Sequence, residues 1–262
     1  MFALFLFCTS LFVLDINAQK AGNKKPFYEP SKISGEQYKK LSRQMVLVVT
    51  NDWDSISGKL QRYERANSKA KWKAVGEPFE IVVGRSGLAW GVGLHQEQKE
   101  GAIKKEGDGK SPAGIFKLSS AFGFADKKET GWLKIPYTFV EESTECVDDT
   151  KSNHYNRIVD KFKVGDFDWD SSEKMLKVGE QYRWGIVVAH NAEPPKKGDG
   201  SCIFLHIRAD NKTGTSGCTA MENANIETLL KWLDEKKKPL LVQLPQSEYE
   251  RLQKAWKLPF QK

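Results

Sequence analysis

The sequence predicts a mostly β fold with one or two helices. Short runs of β-branched and aromatic residues recur along the chain, and stretches rich in glycine and proline separate them, as is typical of strands joined by turns. Strong helical periodicity is confined to Asn223–Lys237, where apolar side chains recur every three or four residues. Because strands far outnumber helices, the pattern excludes a doubly wound α/β fold, in which the two alternate.

Six segments have the composition of strands. They are Met45–Thr50, Pro78–Gly84, Ala113–Leu118, Gly185–His190, Cys202–Ile207 and Leu240–Leu244. A turn with two prolines and two glycines separates the fourth from the fifth, which predicts a hairpin with a broad loop. Residues 119–183 contain no comparable run, so we expect a long loop with short elements there. Short helices are expected near Gly35–Arg43 and in the amphipathic tail 246–262.

The composition is that of a globular, water-soluble protein. Of the 262 residues, 39% are hydrophobic and 29% are charged, which excludes a wholly disordered or collagen-like chain. The net charge of +7 suits an anionic partner, such as nucleic acid, a membrane surface or an acidic wall polymer. The charge alone does not choose among these partners.

Residues 1–18 have the pattern of a secretory signal peptide. The apolar run Phe2–Leu14 is shorter than the roughly 20 residues of a membrane span, and a small residue, Ala18, ends the segment. The alternative is a buried N-terminal helix. Export predicts a periplasmic, secreted or envelope-associated protein with no stable membrane anchor after cleavage, and it disfavours nucleic acid as a partner.

We expect a polar linker with a short helix at 19–44 and a catalytic domain at 45–245.

Three cysteines remain after signal cleavage. They are Cys146, Cys202 and Cys218. Because an exported chain commonly pairs its cysteines, an odd number leaves one thiol over. A spare thiol outside the cytosol is a candidate nucleophile.

The segment His206–Met221 has the residue types of cysteine catalysis. A predicted strand carries His206, and Cys218 follows Gly217 in a tight turn just before the predicted helix. Such chemistry needs a thiolate, a base and backbone N–H groups that bind an oxyanion, and a helix N-terminus favours a thiolate. The alternative reading is that Cys218 is a small buried hydrophobic residue and His206 a packed strand histidine.

Thr215-Ser216-Gly217-Cys218, with a strand histidine upstream, resembles the signature of L,D-transpeptidase (YkuD-type) catalytic domains. The continuation through Ala220 and Met221 is closest to the branch whose motif ends Gly-Cys-x-Ala-Met. The segment Gly107–Phe116 is similar to the family's Gly-Asp-x-x-[Ser/Thr]-Pro-x-Gly-x-[Phe/Tyr] motif. The resemblance covers about residues 45–245 and implies a β-sandwich or barrel.

The resemblance also implies a reaction on peptidoglycan stem peptides. Cys218 would attack a stem-peptide carbonyl and form a thioester, which an amine from a neighbouring stem would resolve. His206 would act as the base, and the backbone N–H groups of Gly217 and Cys218 would hold the oxyanion. No metal or organic cofactor is implied, and we expect a monomer.

Two departures from the family pattern keep alternatives open. Many members have histidine where Ser216 stands and arginine where Ala220 stands, and the Ala-Met variant includes members that hydrolyse peptidoglycan-linked amides. The first alternative is therefore an amidase or peptidase acting on wall peptides. The second is a non-catalytic wall-binding protein with an inert Cys218.

Four further residues are candidates for substrate binding. They are Ser216, Arg208, His190 and Asn191. Arg208 shares a strand face with His206 and could hold a carboxylate, although a solvated arginine explains it equally well.

With Cys218 reserved for chemistry, Cys146 and Cys202 are free to form a disulfide that ties the loop 119–183 over the site. The alternative is two unpaired buried thiols.

Overall fold

The computed structural model describes residues 34–165 and 167–260, so the predicted signal peptide and most of the polar linker lie outside the described residues. The strands are β1 Gln44–Thr50, β2 Ser57–Glu64, β3 Lys73–Val82, β4 Leu88–Trp90, β5 Ser111–Gly123, β6 Tyr137–Phe139, β7 Thr144–Val147, β8 Ile158–Asp160, β9 Ser172–Lys174, β10 Trp184–Val188, β11 Phe204–Ile207, β12 Thr219–Met221 and β13 Leu240–Pro245. The α-helices are α1 Gly35–Leu41, α2 Asn223–Trp232 and α3 Gln246–Leu252.

Eight strands close into a barrel. They follow the order β10-β11-β12-β3-β2-β1-β13-β5, and β5 pairs back with β10. Most neighbours are antiparallel, whereas β1 with β13 and β11 with β12 are parallel. The prediction of a mostly β fold is therefore confirmed.

The apolar run in β1 is continuous because this strand is buried on both faces. All seven of its residues are buried, and it lies between β2 and β13 in the barrel wall. A strand that packs on both sides favours a continuous apolar run, here Met45–Val49, over alternation. The long strand β5 is buried in the same way, since it pairs with β4, β6, β10 and β13.

Residues 119–183 contain more order than the sequence predicts. Strand β5 extends into this segment, and β8, β7 and β9 form a separate three-stranded antiparallel sheet. A disulfide joins Cys146 in β7 to Cys202, just before β11, which confirms the predicted pairing. A second, smaller core, which includes Cys146, Tyr182 and Phe204, connects this sheet to the barrel.

Helix α2 is shorter than its periodicity predicts. It ends at Trp232, because Leu233 takes an extended conformation while its side chain stays buried. Asp234 then starts a separate 3-10 turn by accepting a hydrogen bond from the Lys236 N–H at 2.9 Å. Among the described residues, no helix is both long and apolar enough to cross a membrane.

Candidate active site

Cys218 lies just before a barrel strand and not just before a helix. Strand β12 follows it directly, between β11 and β3, and α2 begins only at Asn223. The expected position just before the helix is therefore wrong, since Thr219–Met221 is needed to complete the barrel wall. Any support for a thiolate has to come from other groups around the sulfur.

The thiol of Cys218 is buried and bonded to the chain around Cys202. Its Sγ accepts a hydrogen bond from the Phe204 N–H at 3.3 Å and donates one to the Cys202 carbonyl at 3.5 Å. Burial, with the charge of Glu173, raises the pKa of Cys218 far above its usual range. Hydrogen bonds with Phe204 and the Tyr182 hydroxyl act in the opposite direction. Cys218 is the free cysteine of the described residues.

His206 is held as a neutral imidazole close to Tyr182. Its Nδ1 donates to the Ile207 carbonyl at 2.8 Å, so Nε2 is unprotonated and carries the ring's lone pair. Burial lowers the pKa of His206 to about 4. The ring packs edge-on against Tyr182, with 5.3 Å between ring centres. Within the described part of the chain, no hydrogen bond joins His206 to the Cys218 thiol.

Side-chain hydroxyls hold the turn that presents Cys218. Thr215 donates to the Cys218 carbonyl at 2.6 Å and accepts a hydrogen bond from the Gly217 N–H at 3.1 Å. Ser111, at the start of β5, donates to the same carbonyl at 2.7 Å. One of the two N–H groups predicted to bind an oxyanion, that of Gly217, is thus already engaged.

A pocket of about 260 Å³ opens beside Cys218, and charges of both signs line it. Its cations are Arg85 and Lys104, and its carboxyl groups are Glu106, Asp148 and Glu173. Ser216 lines the pocket too, and its hydroxyl accepts a hydrogen bond from Arg85 at 3.2 Å. No group of three His, Cys, Asp or Glu side chains among the described residues could hold a metal.

Sequence reasoning missed the charged residues that line this pocket, and it also missed Tyr182, which lies behind the thiol. Tyr182 donates to Glu173 at 2.7 Å, and both come from the segment expected to be a loop. Burial raises the pKa of Glu173 to about 7, and the charges of Asp148 and Glu106 add to the effect. No local motif marks either residue, because they reach Cys218 only through the three-stranded sheet and the second core.

The other candidate binding residues lie outside the pocket beside Cys218. Arg208 forms an ion pair with Glu222 at 2.5 Å. His190 is buried, accepting from the Val92 N–H at 3.2 Å and bonded to the Asp199 carbonyl at 2.9 Å. It faces a different cavity, of about 740 Å³. The Asn191 side chain braces its own loop by donating to backbone carbonyls, those of Lys196 and Gly200.

Comparison with known families decides the relationship. The L,D-transpeptidase catalytic domain (YkuD) matches residues 55–242, which is most of the chain. The chain belongs to the L,D-transpeptidase catalytic-domain family. The resemblance carried by Thr215–Cys218 is thereby confirmed, and the barrel is consistent with the fold of these domains. No curated protein matches the sequence, and neither does any solved structure.

Membership of the L,D-transpeptidase family defines the general activity of the chain. Domains of this family are enzymes of the peptidoglycan cell wall, and their substrates are stem peptides. A cell-wall substrate indicates a location in the cell envelope.

Proposed function

We propose that this protein is an exported L,D-transpeptidase with Cys218 as its nucleophile. The sulfur would attack the carbonyl of the penultimate residue in a stem tetrapeptide, expel D-alanine and form a thioester. The observation that carries the proposal is the position of Cys218 in a pocket of about 260 Å³ in a family of peptidoglycan enzymes. Within the described residues, Cys146 and Cys202 are tied in a disulfide and leave this thiol free.

His206 is the proposed base. Because Nδ1 is committed to the Ile207 carbonyl, the Nε2 lone pair is available to take the thiol proton and return it to the leaving amine. The imidazole is neutral at neutral pH, as a base must be, since burial lowers its pKa to about 4. The two side chains do not share a hydrogen bond among the described residues, and such catalytic contacts often form only when substrate binds.

The oxyanion would be bound by the backbone at Cys218. The N–H of Gly217 donates to Thr215 in the free protein, so it can serve only if it exchanges this partner for the substrate oxygen. The N–H of Cys218 is therefore the principal donor in this proposal. Such donors stabilise the charge that develops on the carbonyl oxygen in the transition state.

The charges of the pocket suit a stem peptide, which carries both carboxylates and an amine. Arg85 and Lys104 can bind a carboxylate of the donor. Asp148 can bind an ammonium group, since one of its oxygens is buried without a hydrogen-bond partner among the described residues. Ser216, which takes the place of the common histidine, shares the rim with Arg85.

A hydrolytic reaction is the second candidate, and Ala220 favours it. Ala220 is 1% exposed and pairs with His206 and Val82 inside the barrel wall, so the site lacks the arginine of many family members. Without that group, water could replace the amine and the product would be a cleaved stem. Amidases or peptidases of wall peptides would give this outcome.

Mass spectrometry of purified muropeptides incubated with the protein tests both candidates. A transpeptidase gives cross-linked dimers, whereas an amidase or peptidase gives cleaved stems without dimers. The matched control is Cys218→Ala, which should give neither product. If the native protein leaves the muropeptides unchanged and a thiol probe does not label Cys218, the protein is a wall-binding module and the proposal fails.

Export is part of the same proposal. Residues 1–18 would be removed as a signal peptide, and the mature protein would act in the periplasm, at the envelope or in the medium. It would act there as a monomer with the domain order given above: linker 19–44, catalytic domain 45–245 and tail 246–262. Sequencing the N-terminus of protein recovered from the envelope should find Gln19 as the first residue.

A further inference from the structure

Tyr182 packs among the main groups of the candidate site. Its hydroxyl donates to Glu173 at 2.7 Å, and Tyr182 lies in the same buried cluster as Cys218, where it lowers the pKa of the thiol. Its ring packs against His206 and against Phe204, whose ring centre lies 5.7 Å away. The side chain is 4% exposed, so its hydroxyl has little freedom to turn elsewhere.

The phenol has a single proton to donate, and Glu173 and Cys218 compete for it. When Glu173 is ionised, the proton points to the carboxylate, and Tyr182 offers the sulfur only its oxygen. When Glu173 is protonated, the carboxylic acid donates to the Tyr182 oxygen, and the phenol proton is free for the sulfur. Hydrogen bonds to charged groups are stronger than neutral ones, so this second arrangement favours a Cys218 thiolate.

The surroundings of Glu173 allow both arrangements near neutral pH. It lies in β9 opposite Cys146 of β7, and the acidic side chains of Asp148 and Glu106 act on it. Burial, with these charges, raises the pKa of Glu173 to about 7. The cations Lys104 and Arg85 line the same pocket, as does the Cys218 thiol, and the Tyr182 phenol bonds Glu173 directly.

We propose that Tyr182 is a catalytic residue that donates a hydrogen bond to the Cys218 thiolate, and that Glu173 positions this hydroxyl when it carries a proton. The inference rests on the proposed function, because it takes Cys218 as the nucleophile. The Tyr182 proton supports the thiolate below the pKa of Glu173 and is withdrawn as the pH rises through it. Ionised Glu173 also opposes the thiolate by its own charge.

Alkylation of Cys218 by iodoacetamide between pH 5.5 and 9 tests this inference without any substrate. We expect Tyr182→Phe to slow alkylation about tenfold or more below pH 7, since it removes a hydrogen bond to a charged group. Glu173→Gln should alkylate faster than the native protein above pH 7, because its amide donates to Tyr182 and carries no charge. The matched control is Tyr137→Phe, whose lost hydroxyl bonds the Ala125 carbonyl and should not change the rate.

Two results would overturn the inference. If folded Tyr182→Phe is alkylated at the native rate, Tyr182 does not donate a hydrogen bond to the thiolate. An unchanged pH profile in Glu173→Gln would exclude the role of Glu173, and this variant decides the matter if Tyr182→Phe does not fold. Because alkylation reports only the state of the sulfur, a failure of the proposed function would instead appear as native turnover by Cys218→Ala.

Discussion

The backbone N–H of Phe204 donates a hydrogen bond to the sulfur of Cys218 at 3.3 Å. This contact exists because β12 lies parallel to β11, which brings the residue just before β12 against the start of β11. His206 lies two residues beyond Phe204 and therefore on the same face of β11. One strand thus supports the sulfur and carries the proposed base.

Replacing the proposed base should reduce turnover without unfolding the protein. We expect His206→Gln to lower kcat by about 10²- to 10⁴-fold, because without a base the buried thiol stays protonated. KM should change little, since His206 does not line the pocket beside Cys218. Steady-state kinetics on a stem tetrapeptide measure both constants. A kcat within twofold of the native value would exclude His206 as the base.

Loss of the disulfide should cost both stability and activity. The Cys146→Ser, Cys202→Ser variant loses a bridge across 56 residues, which is worth roughly 4 kcal/mol in the chain-entropy treatment. Turnover should fall as well, since Glu173 lies in β9 and Asp148 directly follows β7, and both line the pocket. Urea unfolding and turnover, each with and without a reductant, measure these effects. A reductant should affect the native protein and leave the variant unchanged, and equal stability of the two oxidised proteins would contradict this expectation.

The protein should lose stability in mild acid. Burial lowers the pKa values of His95, His190 and His206 to about 4, below the unfolded value near 6.5. The unfolded chain therefore binds more protons between these values, and the stabilisation present above pH 6.5 is lost towards pH 4. The urea concentration at the unfolding midpoint should decrease as the pH is lowered from 7 to 4.5, and this decrease should be smaller in His95→Gln. A midpoint that increases as the pH is lowered over this range would show that the buried histidines do not govern the acid stability.

The family relationship predicts that carbapenem-like β-lactams acylate the nucleophile. We expect intact-mass measurement to find one covalent adduct, which peptide mapping places on Cys218, and none on Cys218→Ala. The buried thiol should react slowly, because burial raises its pKa. No adduct after long incubation would favour the hydrolytic candidate over the transpeptidase.

The mostly β fold class and the nucleophile motif could be predicted from local sequence. Apolar runs identify β1 and β13 because both strands are buried throughout, and Thr215–Cys218 is specific enough to indicate the family. Strand ends were harder to predict: β3 begins at Lys73, where exposed residues extend its pairing with β2 beyond the apolar run.

The acidic side of the site could not be predicted from the sequence. Glu173 and Tyr182 approach Cys218 because the three-stranded sheet packs over the barrel. No residue spacing in the sequence predicts that contact. Likewise, Thr219–Met221 is too short to be recognised as a strand, so Cys218 was expected to lie in a turn just before the helix. Tertiary packing decides both features.

The acyl-enzyme is the most direct test of the central claim that Cys218 is the nucleophile. The purified protein would be mixed with a stem tetrapeptide whose amines are acetylated, so that no amine acceptor is present, quenched in acid and analysed by mass spectrometry. The account predicts a mass increase equal to the tetrapeptide acyl group without D-alanine, located on the peptide that contains Cys218. Turnover of the same tetrapeptide by Cys218→Ala at the native rate would contradict it.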